Sequence, residues 1–269
     1  MPEPLVLISS PRPHVRLITL NKPDRLNSMS FGLVGALYAA LEEVGADNDC
    51  WVAVLTGAGR GFCSGLDLED MGSAPGLEGI TRHRAGTRAM SYMSNVVPSL
   101  RAMPQPVIAA INGPAYGGGM CMTLGCDIRI ASESAVFCGA GINNGLTGVE
   151  LGISYLLPRA VGTAHASEIL LTGRQVTAAE AERIGLVSRV TPDDKVVDIA
   201  LDMAEDMVTR LSPFGMELTK QAIWDNVETG SLRAAMDLED RSQLLAGHTG
   251  NLDEAMAAFR EKRAPRYTE

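Results

Sequence analysis

A mixed α/β fold with a buried, largely parallel sheet is predicted by three features of the sequence. Trp51 to Thr56 and Val107 to Ile111 are continuous apolar, β-prone runs, the pattern of strands covered on both faces. Stretches of helical period alternate with these runs along the chain. Each of the two strands ends in a glycine-rich turn that leads towards a helix.

Taken in order, Leu5 to Ile8 and Val15 to Leu20 predict an edge hairpin joined through Ser-Ser-Pro-Arg-Pro, followed by a loop from Asn21 to Arg25. Ser30 can cap a helix from Phe31 to about Val44, with Leu33, Leu37, Ala40, Leu41 and Val44 on one face. After the strand at Trp51, the first glycine loop runs from Thr56 to Leu68 and is expected to enter a short helix, Leu68 to Met71. Gly72 to Arg84 has no period and reads as a mobile loop; Thr87 to Met103 reads as one helix. The second glycine turn, Gly117-Gly118-Gly119, opens an apolar helix at Met120. Ala135 to Phe137 is a strand, and Cys138 to Gly145 is irregular. Glu150 precedes an apolar helix, Leu151 to Val161, which must contain or break at Pro158. Helices follow at Thr163 to Leu171 and Thr177 to Ile184, the latter with Thr177 as cap and Glu180 closing a capping box. Val187 to Val190 is a short strand, and from Asp193 the pattern is helical, punctuated by Pro213, Gly230 and Gly250.

The 269 residues can bury one substantial core. A net charge of −9 argues against general binding to nucleic acid or anionic membranes. No apolar run reaches membrane-spanning length and no cleavable leader is visible, so a soluble, cytoplasmic protein is expected. The cysteines at 50, 63, 121, 126 and 138 are odd in number and lack a C-x-x-C pair. They read as small buried groups rather than as zinc ligands or a disulfide framework, and no metal site is expected.

Function is carried by the two glycine loops. A strand, a glycine turn and a helix N-terminus present free backbone N–H groups to a phosphate or to an oxyanion. No lysine follows Gly119, and Gly113 to Gly118 does not fit the dinucleotide fingerprint. Two such loops in one domain can aim paired donors at one oxygen, the requirement of an oxyanion hole. The alternative is that the glycines only let a helix pack closely on the sheet. Ser64 as a nucleophile is disfavoured: Phe62 stands where G-x-S-x-G needs its first glycine, and His14, His83, His165 and His248 have no triad context.

The blocks GRGFCSGLDLEDM and PVIAAINGPAYGGGMCMTLGCDIRIAS resemble the two signatures of the enoyl-CoA hydratase/isomerase, or crotonase, superfamily. The resemblance continues through LLPRAVG, ILLTGRQVTAAEAERIGLVSRV and AFREKRAP, and so covers nearly the whole chain. It implies a ββα spiral core over residues 1–200 with an acyl-CoA site, and a C-terminal helical region, residues 201–269, that builds a homotrimer or hexamer. It also implies an acyl-CoA substrate, with coenzyme A as part of the substrate and no separate cofactor. The oxyanion donors match the N–H groups of Leu66 and Gly118. Contacts to coenzyme A match Arg25, Leu26, Gly65, Leu66, Asp67, Leu68, Gly117 and Gly118, with Phe259 and Lys262 often donated by a neighbouring subunit. The two glutamates of the family's hydratases match Cys121 and Gly141, so both carboxylates are missing and two-glutamate hydration is not expected. Glu150 matches a position where some isomerases and a dehalogenase of the superfamily hold a catalytic aspartate. It can be a partly desolvated acid/base or a carboxylate favoured by a helix N-terminus. Cys121 can be a thiol activated by the start of its helix or a small buried side chain. Arg25 and Lys262 can bind phosphate or be solvated charges. The expected function is isomerase-type enolate chemistry on an acyl-CoA thioester; the alternative is an acyl-CoA-binding protein with little catalysis.

Overall fold

The structure, a computed structural model, describes residues 3–268. β1 (Val6–Arg12) and β2 (Val15–Leu20) form the antiparallel edge hairpin. β1 extends further than the sequence suggests because a register shift between Ser9 and Arg12 accommodates Pro11, which cannot donate to the ladder. α1 (Phe31–Gly45) then crosses to β3 (Val52–Gly57), and α2 (Arg82–Ser94) and α3 (Val96–Ala102) lead to β4 (Val107–Ile111). β5 (Ala115–Tyr116), α4 (Gly118–Gly125), β6 (Ile128–Ser132) and β7 (Val136–Cys138) follow. α5 (Ile153–Thr172), β8 (Val176–Thr177), α6 (Ala178–Arg183) and β9 (Arg189–Thr191) complete the core, and α7 (Val196–Arg210), α8 (Pro213–Glu228), α9 (Leu232–Gly247) and α10 (Asn251–Glu261) end the chain.

Among the described residues the main sheet is ordered β1-β2-β3-β4-β6-β9, parallel throughout except for β1. A smaller sheet, β5-β7-β8, stands apart from it. The continuous apolar strands are explained by cover on both faces. Ala53, Leu55, Val107, Ala109 and Ile111 face α1, α3 and α4, whereas Val52, Val54, Ile108 and Ala110 face Ala200, Leu201 and Ala204 of α7. The expected division at residue 200 therefore runs through α7, a helix whose inner face belongs to the sheet. α8 still adds Met216 to the cluster on that face, and α9 and α10 follow it.

Several expected elements are altered for local reasons. The helix predicted over Thr87 to Met103 is two helices meeting at Asn95, because Pro98 has no N–H for the preceding turn and crowds its carbonyl. The helix expected at Leu68 to Met71 is an irregular turn, since the Asp67 carboxylate takes the N–H groups of Glu69 and Asp70. Ser30 and Thr177 cap α1 and α6 as expected. The box at Thr177 is half formed, because Glu180 pairs with Arg174 instead of turning back.

α8 is pinned to the core by a buried cation. Lys220 Nζ donates to the carbonyls of Leu100 and Gln105 and meets Asp127 at 3.0 Å, while Trp224 Nε1 donates to the other Asp127 oxygen at 2.6 Å. Arg101 stacks over the Trp224 ring. α9 buries no residue and leaves Leu232, Met236, Leu244 and Leu245 exposed. No described helix is long and apolar enough to cross a membrane.

Candidate active site

The two glycine loops interlock. The first, residues 58–67, lies between the segments 26–29 and 114–116. Ser64 N donates to Leu26 O on one side, and Tyr116 N donates to Cys63 O on the other. Gly119 is the tightest point: a Cβ there would stand 2.1 Å from the Cys63 carbonyl, so only hydrogen fits.

This ladder sets where the free N–H groups point. Gly65 O accepts from Met29 N at 2.7 Å, and Asp67 N donates to Met29 O at 3.0 Å. Residues flanking a bridged position face the partner strand, so the N–H of Leu66 itself faces the opposite way, towards the second loop. There, Gly117 N is used by Cys138 O at 2.8 Å, and the next residue begins α4. The first N–H of a helix has no intrahelical acceptor. Among the described residues, neither Leu66 N nor Gly118 N has a hydrogen-bond acceptor.

Glu150 lies against the second loop. Leu151 and Gly152 both adopt positive φ, 45° and 86°, which delays α5 to Ile153. Glu150 Oε1 stands 3.0 Å from where a Cβ on Gly117 would be. The carboxylate is half-buried and accepts no hydrogen bond among the described residues; desolvation raises its pKa above the ordinary glutamate value. No side-chain hydrogen bond caps the start of α5 among the described residues.

The two positions that lack glutamates are filled in different ways. Cys121 is fully buried and donates its S–H to the Glu150 carbonyl at 3.5 Å. Burial, with Glu150 nearby, holds its thiol well above the ordinary cysteine value, so desolvation overrides the activation expected from the helix start. At Gly141 a Cβ would meet Thr147 O at 2.3 Å, because the chain folds back from a 3-10 turn over residues 140–144.

Asp67, one of the residues matched to a coenzyme A contact, has a carboxylate bonded entirely within the chain. It is 1% exposed, and its carboxylate is occupied by Lys22 Nζ, Arg25 Nη2 and Ser28 Oγ, each at 2.7 Å, as well as by two backbone N–H groups. Burial opposes its charge, yet the bonds from Lys22, Arg25, Asp70 N–H and Ser28 outweigh it and hold the carboxyl well below the usual range. Arg25 also bonds Glu69. Its guanidinium is thus matched to two carboxylates. Leu26 adopts a left-handed conformation and packs against Gly61, while Leu68 is exposed beside Gly65 and Leu66. Phe259, 84% exposed, and Lys262 lie on α10 and its cap; that helix packs on α9, and Asn251 at its start bonds Ser212 before α8. The described contacts within one chain do not bring these two residues to the glycine loops. Lys22 and Ser28 were not singled out by sequence, since neither belongs to a periodic or spaced motif.

Comparison with known proteins agrees with this architecture. Residues 12–269 match the family described as Enoyl-CoA hydratase/isomerase. The chain is 51% identical over 266 residues to a Mycobacterium tuberculosis protein named probable enoyl-CoA hydratase EchA12, covering 98% of this chain and 93% of that one. It is 38% identical over 259 residues to the 1,2-epoxyphenylacetyl-CoA isomerase of Escherichia coli, covering 94% and 95%. A crystal structure of a probable enoyl-CoA hydratase/isomerase from Mycobacterium abscessus superposes with a TM-score of 0.93 at 46% identity, covering 98% of each chain. The fold, the glycine loops and these relatives together place the chain in the enoyl-CoA hydratase/isomerase family, whose enzymes give it its crotonase architecture.

Proposed function

We propose that this enzyme moves a double bond in an acyl-CoA thioester by proton transfer through an enolate, with Glu150 as the acid/base. The observation that carries this reading is a half-buried carboxylate, without a hydrogen-bond partner among the described residues, lying against Gly117 in the glycine turn whose next residue carries one of the two unpaired N–H groups. Glu150 takes a proton from the carbon chain, and the negative charge moves onto the thioester oxygen. The N–H groups of Leu66 and Gly118 stabilise that oxygen. Glu150 then returns the proton to a different carbon, so nothing is consumed and the carboxylate is regenerated. One carboxylate suffices for this cycle, whereas hydration needs a second group to handle water. The buried thiol of Cys121 and the closed backbone at Gly141 do not supply one. The Escherichia coli relative, named a 1,2-epoxyphenylacetyl-CoA isomerase, supports isomerisation of a coenzyme A thioester in general.

Coenzyme A enters as part of the substrate. The same proposal includes a cytoplasmic enzyme, supported by five buried free cysteines, and a homotrimer or hexamer, supported by the uncovered apolar residues of α9. In such an assembly Phe259 and Lys262 would reach a neighbouring subunit's coenzyme A.

The test is NMR of an enoyl-CoA in deuterated water, run beside a hydration assay on crotonyl-CoA. Exchange at the α- or γ-carbon with little hydration is expected. Rapid hydration, or no exchange with any of a panel of straight-chain and ring-bearing enoyl-CoA esters, overturns the assignment.

A further inference from the structure

The buried carboxylate next to the proposed oxyanion donor has a task of its own. Asp67 follows Leu66 directly, and its side chain draws together Lys22, Arg25 and Ser28 from one loop and the Glu69 and Asp70 N–H groups from the turn beyond. Its own N–H donates to Met29 O, in the same ladder that turns the Leu66 N–H towards the second loop. Leu26 and Asn27 hold positive φ, 48° and 54°, so this approach is locally strained and needs something to hold it. Asn27 supplies part of that hold, bonding the carbonyls of Ala58 and Gly61. Asp67 supplies the charged part.

We propose that Asp67 is a positioning residue that, through Lys22, Arg25 and Ser28, fixes the Leu66 N–H at the thioester oxygen, and that Arg25 serves this clamp rather than the phosphates of coenzyme A. The proposal rests on the enolate reading above. An arginine bonded to both Asp67 and Glu69 offers a phosphate little uncompensated charge. Releasing it to a phosphate would leave a buried carboxylate short of a partner.

The experiment uses acetoacetyl-CoA, whose enolate absorbs in the ultraviolet, so the donors are read without any turnover and without Glu150 chemistry. The enolate fraction of the bound thioester is followed against pH for the wild type, Asp67→Asn, Arg25→Gln and Ser28→Ala, and the affinity for free coenzyme A is measured by calorimetry. Circular dichroism checks folding; should Asp67→Asn fail to fold, the Arg25 and Ser28 variants carry the test. The wild type is expected to favour the bound enolate. Arg25→Gln is expected to lower the enolate-to-keto ratio ~10-fold or more, with free coenzyme A affinity changed less than about three-fold, since one clamp bond rather than a phosphate contact has been lost. An unchanged enolate ratio with affinity weakened ~10-fold would mean that Arg25 is a phosphate ligand after all, and overturns the proposal. A wild type that does not favour the enolate removes the enolate reading itself, and the clamp with it.

Discussion

Among the described residues, the half-buried Glu150 carboxylate has no hydrogen-bond partner, whereas the Asp67 carboxylate is fully buried and has five donors. The first arrangement raises a pKa and the second lowers one. The consequences for pH are opposite. If Glu150 must be ionised to accept a proton, the exchange rate should rise with pH through a value above the ordinary glutamate figure of about 4.3. Glu150→Gln keeps the shape, should lower exchange at least ~10²-fold and should abolish that limb; an unchanged rate would remove Glu150 from the mechanism. Asp67 has a folded pKa well below its unfolded value of about 3.9, so its stabilisation is full above that pH and is lost progressively as pH falls from there through the lower folded value. Urea unfolding at neutral pH and near pH 3 should therefore show a gap between wild type and Asp67→Asn that narrows in acid. An equal gap at both would show that the charge contributes nothing.

Loops and helices show how much of this was readable in advance. The strands, the two glycine turns and the Ser30 cap depend on neighbours in sequence, so spacing reveals them. The Pro98 break was also local and could have been found by asking which carbonyl loses its donor. Asp67 is different. Its partners Lys22 and Arg25 lie 45 and 42 positions away, and a charge in a polar loop looks the same in sequence whether it is solvated or buried. The glycines give a sharper element-level prediction. Gly119→Ala puts a methyl on the Cys63 carbonyl and should destabilise by roughly 1–3 kcal/mol or more, measured by urea unfolding. Gly141→Glu, the naive route to a second carboxylate, collides with the Thr147 carbonyl. It should disturb the turn over residues 140–144 without creating hydration of crotonyl-CoA. A stable Gly141→Glu variant with new hydratase turnover would show that this turn opens more easily than its backbone contacts imply.

The chain as a whole divides between a core that builds the site and helices that leave it. α7 closes the second face of the sheet, whereas α8 is held by the Lys220 ammonium, two carbonyls and the Asp127 carboxylate, with Trp224 on the same acid. α9 and α10 follow from α8, and α9 buries nothing of its own. Removing the Lys220 ammonium should therefore loosen the attachment of the last three helices while leaving the strands and both glycine loops in place. Breaking a buried pair costs roughly 3–5 kcal/mol. The lower end is expected here, because Asp127 keeps the Val107 N–H and the Trp224 Nε1–H as donors. Limited proteolysis of Lys220→Ala should cut first beyond α7, and urea unfolding should shift by about 3 kcal/mol or split into two steps. Subunit exchange or dissociation should also become easier if α9 lies in an interface, as the proposed assembly requires. A variant that unfolds in one step with less than about 1 kcal/mol of change, a cost ordinary for a single hydrogen bond, would mean that packing around Trp224 and Met216 holds α8 to the core without the buried charge.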